Sequence, residues 1–353
     1  MKPHFRGAAL VVAAVIALTA CTAAQPTTPT DAPPAPPAAT PGTSPADTPS
    51  GEQLRVAIIL PGETTDRGFN ETGEQAATII ADEFGADTTF TESVNPAEQA
   101  DVYRQYANQG YDLVIGWGGQ FSDGAVQVSE EFPDTYFLVV SSGVENGSNL
   151  ASYDTAIEDW QFLAGYLMAR LSQSGVVGQV SGQCFPSTAA NQNGTRDGAL
   201  HANPDIEWLS TYTGDFEDPT RAQQAAQAMI DQGADVLHTN LNQGVFGVVQ
   251  AAQANEGVLV VTEWLDNHDV APDVIVTTLN KSYARFVTNK VEELVGGNWQ
   301  GDAQRFGLPD DWGPAIFETE LLSDDLYQEV LGVQQQIASG EIVVERDETC
   351  PGG

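Results

Sequence analysis

Residue types with chemical potential are arranged in this chain for holding a ligand rather than for transforming one. From Leu54 onward there is no H-E-x-x-H, C-x-x-C, G-x-S-x-G or G-x-x-x-x-G-K-[ST], the spacings that assemble zinc ligands, redox thiols, an exposed nucleophile or a phosphate cradle. His4, His201, His238 and His268 show no metal-ligand spacing, so neither a metal nor a cofactor is expected, and the chain is not read as an enzyme. His238 closes an apolar strand and reads as a satisfied interior histidine before it reads as a cleft residue. What stands out is four segments that set an aromatic beside a polar residue: Asp66-Arg67-Gly68-Phe69-Asn70, Phe121-Ser122-Asp123, Gly214-Asp215-Phe216-Glu217-Asp218-Pro219 and Thr262-Glu263-Trp264-Leu265-Asp266. A ring supplies a flat face and Asn or Asp supplies hydrogen bonds at its edge, a combination that suits a heterocycle joined to a sugar. Each segment taken singly has a structural reading as well: Asp66 and Asp123 precede helical patterns and would cap them, and Asp218-Pro219 has the form of a helix start.

The elements that must position these segments follow from periodicity. Leu54 to Leu60 is an apolar run broken by Pro61-Gly62, as expected of a strand buried on both faces of a parallel sheet. A helix is expected from Phe69 to about Phe84, stopped by Gly85. The rhythm continues with helix 96–109, strand 113–116, helix 123–131 and strand 136–140. It then runs through helix 160–172, strand 176–180, a helix from about Ala189, a strand near Trp208, helix 220–231, strand 236–238, helix 245–254 and strand 258–261. Strands alternating with helices imply an α/β chain of parallel sheets, with ligand loops at the carboxyl ends of the strands. Strand 274–278 and helix 283–294 read as a return of the chain to its first lobe.

The N-terminus addresses the compartment. Lys2, His4 and Arg6 precede an uncharged stretch, Gly7 to Ala20, that ends in Leu18-Thr19-Ala20-Cys21. This stretch is shorter than the ~20 apolar residues of a spanning helix and reads as a signal peptide, residues 1–20, cleaved before a lipidated Cys21. Residues 21–53 are rich in Pro, Thr and Ala and are expected to form an extended, disordered tether. The body of about 300 residues exceeds one comfortable core and suggests two lobes. Lobe 1 is expected over 54–155 plus about 279–320, and lobe 2 over 156–278 plus about 321–353. With 49 acidic and 13 basic residues the net charge is −36, which speaks for a solvated surface outside the cell and against nucleic acid as a partner. Cys184 and Cys350 remain as a possible disulfide or as two separate thiols.

The body resembles the basic membrane protein family of ABC-transporter substrate-binding lipoproteins, the purine-nucleoside receptors. The resemblance is carried in order by Asp66-Arg67-Gly68-Phe69-Asn70, Tyr111-Asp112-Leu113-Val114-Ile115-Gly116 running on to Asp123, Phe162-Leu163-Ala164-Gly165-Tyr166, Gly214 to Pro219, Gly233-Ala234-Asp235-Val236 and Thr277-Thr278-Leu279-Asn280-Lys281. It implies a two-lobed periplasmic-binding-protein fold of type I with a hinged cleft. It further implies capture of a nucleoside-like solute, handed to a membrane permease at the outer face of the cell membrane. By the same resemblance Phe69 and Phe216 would sandwich a base, Asn70 would bond its edge, and Asp123 and Lys281 would hold ribose hydroxyls. Two departures leave the base open: Leu60-Pro61-Gly62 stands where the family has an acidic residue, and Glu263-Trp264-Leu265-Asp266 where it has Val-Asp-x-Asp. Trp264 would either narrow the cleft or pack the hinge. A ligand sensor that shows its closed form to a membrane signalling partner is the alternative to transport. Oligomeric state is open.

Overall fold

The computed structural model describes residues 53–281, 283–308 and 314–350. The chain divides into Met1–Gly51 and Glu52–Gly353. The expected signal peptide, the Cys21 lipidation site and the tether up to Glu52 lie outside the described residues. The second unit carries four hydrophobic core clusters of its own, and so has what it needs to fold alone. No helix among the described residues is long and apolar enough to cross a membrane.

Two parallel sheets organise this unit. The first contains β1 (Arg55–Ile59), β2 (Asp87–Thr91), β3 (Leu113–Gly116), β4 (Tyr136–Val140), β5 (Leu150–Thr155) and β11 (Ala303–Phe306), in the order β11-β5-β4-β3-β1-β2. The second contains β6 (Val176–Ser181), β7 (Glu207–Tyr212), β8 (Val236–Asn240), β9 (Leu259–Trp264) and β10 (Ile275–Asn280), in the order β10-β9-β8-β6-β7. Central strands are apolar throughout because helices cover both faces: every residue from Val56 to Ile59 is fully buried. The helices are α1 (Phe69–Phe84), α2 (Gln99–Asn108), α3 (Ser122–Glu131), α4 (Ile157–Leu171), α5 (Pro186–Ala202), α6 (Pro219–Ile230), α7 (Val245–Gln253), α8 (Tyr283–Val295) and α9 (Asp324–Ala338).

The two sheets share one winding. In each, the first strand lies between the second and the third, so the connections leave its carboxyl end in opposite directions and open a crevice there. The loops after β1 and β3 flank one crevice, and those after β6 and β8 flank the other. The chain passes between the lobes where Thr155 leads into α4, where Asn280 leads into α8, and again beyond β11. α8 buries Tyr283, Phe286, Val287 and Val291 against Leu60, Trp117 and Tyr153 of lobe 1, while α9 buries Val330 and Val333 with Leu163 and Leu167 of α4 in lobe 2.

Two expectations are corrected. The strand read at 274–278 does not return to lobe 1: β10 pairs in parallel with β9 at the edge of the second sheet, and only the helix after it crosses. The passage back also falls before residue 320, since Asn280 N donates to Ala315 O at 2.8 Å and Leu279 bridges Ile316. The residues 314–317 therefore extend lobe 2.

Close helix packing sets one wall of the cleft. A Cβ on Gly165 would fall 1.7 Å from Thr195 O, and one on Gly198 1.9 Å from Phe162 O, so α4 and α5 touch backbone to backbone. That contact turns the amide-rich stretch Asn191-Gln192-Asn193 of α5 into the interior, where all three are buried.

Candidate functional site

Where the two crevices face each other they enclose a cavity of about 340 Å³, within the range of small-molecule sites. Lobe 1 contributes Phe69, Gln120, Ser141 and Asp154, and lobe 2 contributes Phe185, Asn191, Phe216, Glu217, Asn240 and Trp264. Except for Asn191 within α5 and Phe69 at the start of α1, these residues stand at carboxyl ends of strands or in the segments that follow, as the winding requires.

Phe69 opens α1, and its loop is built by Asp66. The buried Asp66 carboxylate accepts from Gly68 N (2.9 Å), Asn70 N (2.9 Å), Asn70 Nδ2 (2.7 Å) and Glu71 N (3.0 Å), satisfying the free amides at the helix start. Asn70 Oδ1 in turn accepts from Gly62 N at 3.0 Å. Asn70 is thus a buried brace between two loops and stands outside the lining, contrary to the edge contact expected of it.

One aromatic group packs Phe69 against Trp264 at 5.2 Å between centroids and against Trp117 at 6.2 Å, with Trp264 to Tyr283 at 5.3 Å. Trp264 ends β9 with φ of +81°, a left-handed conformation that strains a bulky residue. That backbone sends the indole from lobe 2 into the cluster of lobe 1, so it both faces the cavity and packs the hinge. On the second group, Phe185 and Phe216 lie 5.8 Å apart. The Phe216 ring rests on Gly182, whose Cβ would fall 2.2 Å from it; only a residue without a side chain leaves that space.

Beneath Trp264 lies a buried polar network. Lys281 Nζ is 4.4 Å from the Trp264 ring centroid and donates to Glu263, with both side chains almost wholly buried. Glu263 also accepts from Gln161 Nε2 at 2.7 Å, Asn191 Nδ2 at 3.3 Å and Asn240 Nδ2. Burial alone would raise the Glu263 carboxyl, but Lys281 and His238 hold it below its ordinary value. His238 Nε2 lies 2.7 Å from Gln161 Oε1 and its Nδ1 lies 2.8 Å from Val261 O, so it is an interior histidine with both ring nitrogens against protein oxygens.

Of the seven expected ligand residues, the lining therefore holds Phe69, Phe216 and Trp264. Lys281 is buried in its ion pair with Glu263 and stands outside the lining. Asp123 is exposed in the first turn of α3, and Asp266 is exposed and caps His268 N at 3.0 Å; neither lines the cavity. Sequence reasoning missed Asn191, Asn240, Phe185 and Asp154. A signal existed for Asn240: the apolar β8 ends abruptly in Thr239-Asn240-Leu241-Asn242.

The charge of the lining is one-sided. Asp154, Asp215 and Glu217 line it, and no Lys, Arg or His does among the described residues. Burial raises both Asp154 and Glu217 above the usual carboxylate range. Arg346 from the C-terminal tail approaches Asp154 at 3.0 Å and Glu158 at 3.4 Å. That tail is held by a disulfide between Cys184 and Cys350, Cα atoms 6.0 Å apart, which ties it to the loop after β6.

Comparison with known proteins supplies the context. The family model Bmp, described as ABC transporter substrate-binding protein PnrA-like, matches residues 53–348. A protein of Haloferax volcanii named as an ABC transporter glucose-binding protein is 26% identical over 86% of this chain and 76% of its own length. A purine-binding protein of Brucella abortus is 25% identical over 82% of this chain and 83% of its own. The solved structure of an ABC transporter solute-binding protein from Conexibacter woesei is 28% identical, with a TM-score of 0.69 over 83% of this chain and 99% of that one.

Proposed function

The chain belongs to the PnrA-like family of ABC transporter substrate-binding proteins, solute-binding proteins rather than enzymes, and from that premise we propose that it captures an uncharged nucleoside or close analogue. A cavity with aromatic rings on both lobes and, among the described residues, no cation in its lining carries the reading. Phe69 and Trp264 on one side and Phe185 and Phe216 on the other suit a flat heterocycle. Amides and carboxylates between them suit the N–H and O–H groups of a base and its sugar. Acidic groups without a lining base disfavour phosphate, so a nucleoside is preferred to its nucleotide. The relative named for purine binding supports this choice, and the one named for glucose marks the rival solute to be tested. Cys21, acylated after removal of residues 1–20, would anchor the protein on the outer face of the membrane through the 21–53 tether. Closure of the lobes about their crossing points would present the loaded form to the permease.

The test is a thermal-shift panel on Glu52–Gly353 with nucleosides, their 5′-monophosphates, free bases, ribose and D-glucose. A ligand at 100 times its Kd adds about 2.7 kcal/mol to stability, a shift of several degrees. Nucleosides are expected to give it and monophosphates are not. A shift from D-glucose alone would overturn the nucleoside reading while leaving the capture role in place.

A further inference from the structure

The donors that converge on Glu263 decide what the floor of the cleft offers a ligand. Glu263 is 3% exposed, and with Lys281 beside it the carboxylate is ionised and can only accept. Each amide around it must therefore turn its nitrogen toward Glu263 and its oxygen away from it. For two of them the oxygen is also engaged: Asn191 Oδ1 accepts from Gln179 Nε2 at 2.7 Å, and Gln161 Oε1 accepts from Thr195 Oγ1 at 3.0 Å. Asn240 differs. Its nitrogen is committed to Glu263, it lines the cavity, it is 6% exposed, and its Oδ1 is buried with no hydrogen-bond partner among the described residues.

An acceptor left in that state costs free energy that a ligand donor recovers and a ligand without one does not. We propose that Asn240 Oδ1 is the specificity-determining acceptor of the cleft, selecting solutes that present an N–H of a heterocycle or an O–H of a sugar to it. The Lys281–Glu263 pair acts behind it as a positioning device that fixes which way the amide faces. This rests on the nucleoside reading above only for the choice of probes.

Calorimetry with inosine, 1-methylinosine and the 2′-, 3′- and 5′-deoxy analogues, against the native protein and Asn240→Leu, tests the proposal. Asn240→Leu should bind inosine about tenfold or more weakly, the scale of one unpaired buried acceptor. One analogue should bind the two proteins equally, and its identity tells ring from sugar. Undiminished inosine binding by Asn240→Leu, or an equal loss for all five ligands, would overturn the assignment. As a second variant, Glu263→Gln with Lys281→Met removes the buried charges and lets residue 263 donate to Asn240. Discrimination between inosine and that analogue should then fall to about twofold or less; discrimination kept at the native level would count against the proposal. If the native protein binds no nucleoside, the nucleoside reading falls by itself. D-glucose and its monodeoxy analogues then serve as the probes, with the same pattern upholding or overturning the acceptor. Binding of neither class overturns both.

Discussion

Arg67, in the loop between β1 and α1 of lobe 1, donates through Nη2 to Asp269 of lobe 2 at 2.5 Å. The same guanidinium reaches Asn267 Oδ1 at 3.1 Å, and Asn267 Nδ2 returns a bond to Arg67 O at 3.2 Å. The lobes are latched beside the cleft by the segment that carries Phe69. Exposed ion pairs contribute about 0.2–1 kcal/mol each, so Arg67→Met should weaken ligand binding up to about fivefold. It should also enlarge the ligand-free protein in small-angle scattering. An unchanged radius with unchanged affinity would show that the latch does not bias closure.

Phe216 and Phe69 should separate binding from stability. Phe216 rests on Gly182 and packs with Phe185, whereas Phe69 also holds the Trp117, Trp264 and Tyr283 cluster together. Phe216→Ala is expected to cost at least tenfold in affinity with a small change in Tm. Phe69→Ala should lower both, by about 3 kcal/mol or more in stability. Gly182→Ala should mimic Phe216→Ala by displacing the ring. Calorimetry and melting curves on the three variants distinguish these outcomes, and full affinity in Gly182→Ala would mean that the ring's seat is unimportant.

Two carboxylates give opposite pH dependences. Glu263 is held below its ordinary value, so its contribution is present above the unfolded pKa and is lost as pH falls through the folded one. Asp159, pushed up to about 6 by burial and by neighbouring Glu158, behaves in reverse. Its folded pKa exceeds its unfolded one, so stability is full in acid and declines as pH rises toward and through 6. Asp159→Asn should therefore raise Tm by a few degrees at pH 7 and by little near pH 4. Equal gains at both pH values would contradict this assignment.

The disulfide joins residues 166 positions apart, and loops of that length place it among the more stabilising bridges, about 2–4 kcal/mol. Cys184→Ser with Cys350→Ser should lower the denaturant midpoint accordingly, and a reducing agent should do the same to the native protein alone. Identical midpoints for the two proteins under oxidising conditions would show that the bridge adds nothing.

Much of this architecture is readable in the chain because local and global preferences agree. α1 spans Phe69 to Phe84 as its apolar spacing and Gly85 require, and β1 is apolar because both its faces are covered. The edge strands β2 and β11 are illegible for the converse reason: β2 reads Asp-Thr-Thr-Phe-Thr and β11 reads Ala-Gln-Arg-Phe, half solvated and without an apolar run. The placement of β10 was illegible because its apolar run serves either sheet equally well. At the candidate site, aromatic residues announce themselves by type, which is why the sequence singles out Phe69, Phe216 and Trp264, all three of which stand in the cavity lining. Lys281 was assigned to the ligand because nothing in one dimension shows that Glu263, 18 residues earlier, occupies it. Asn240 was missed because an amide's function depends on which of its two ends is already spoken for.

The strap formed by Cys184 and Cys350 also stations Cys350 beside the loop that follows β6. Gln183 and Phe185, the neighbours of Cys184, both line the cavity. A fluorophore attached at Thr349, beside Cys350, is therefore stationed near the cleft, where closing lobes would change its surroundings.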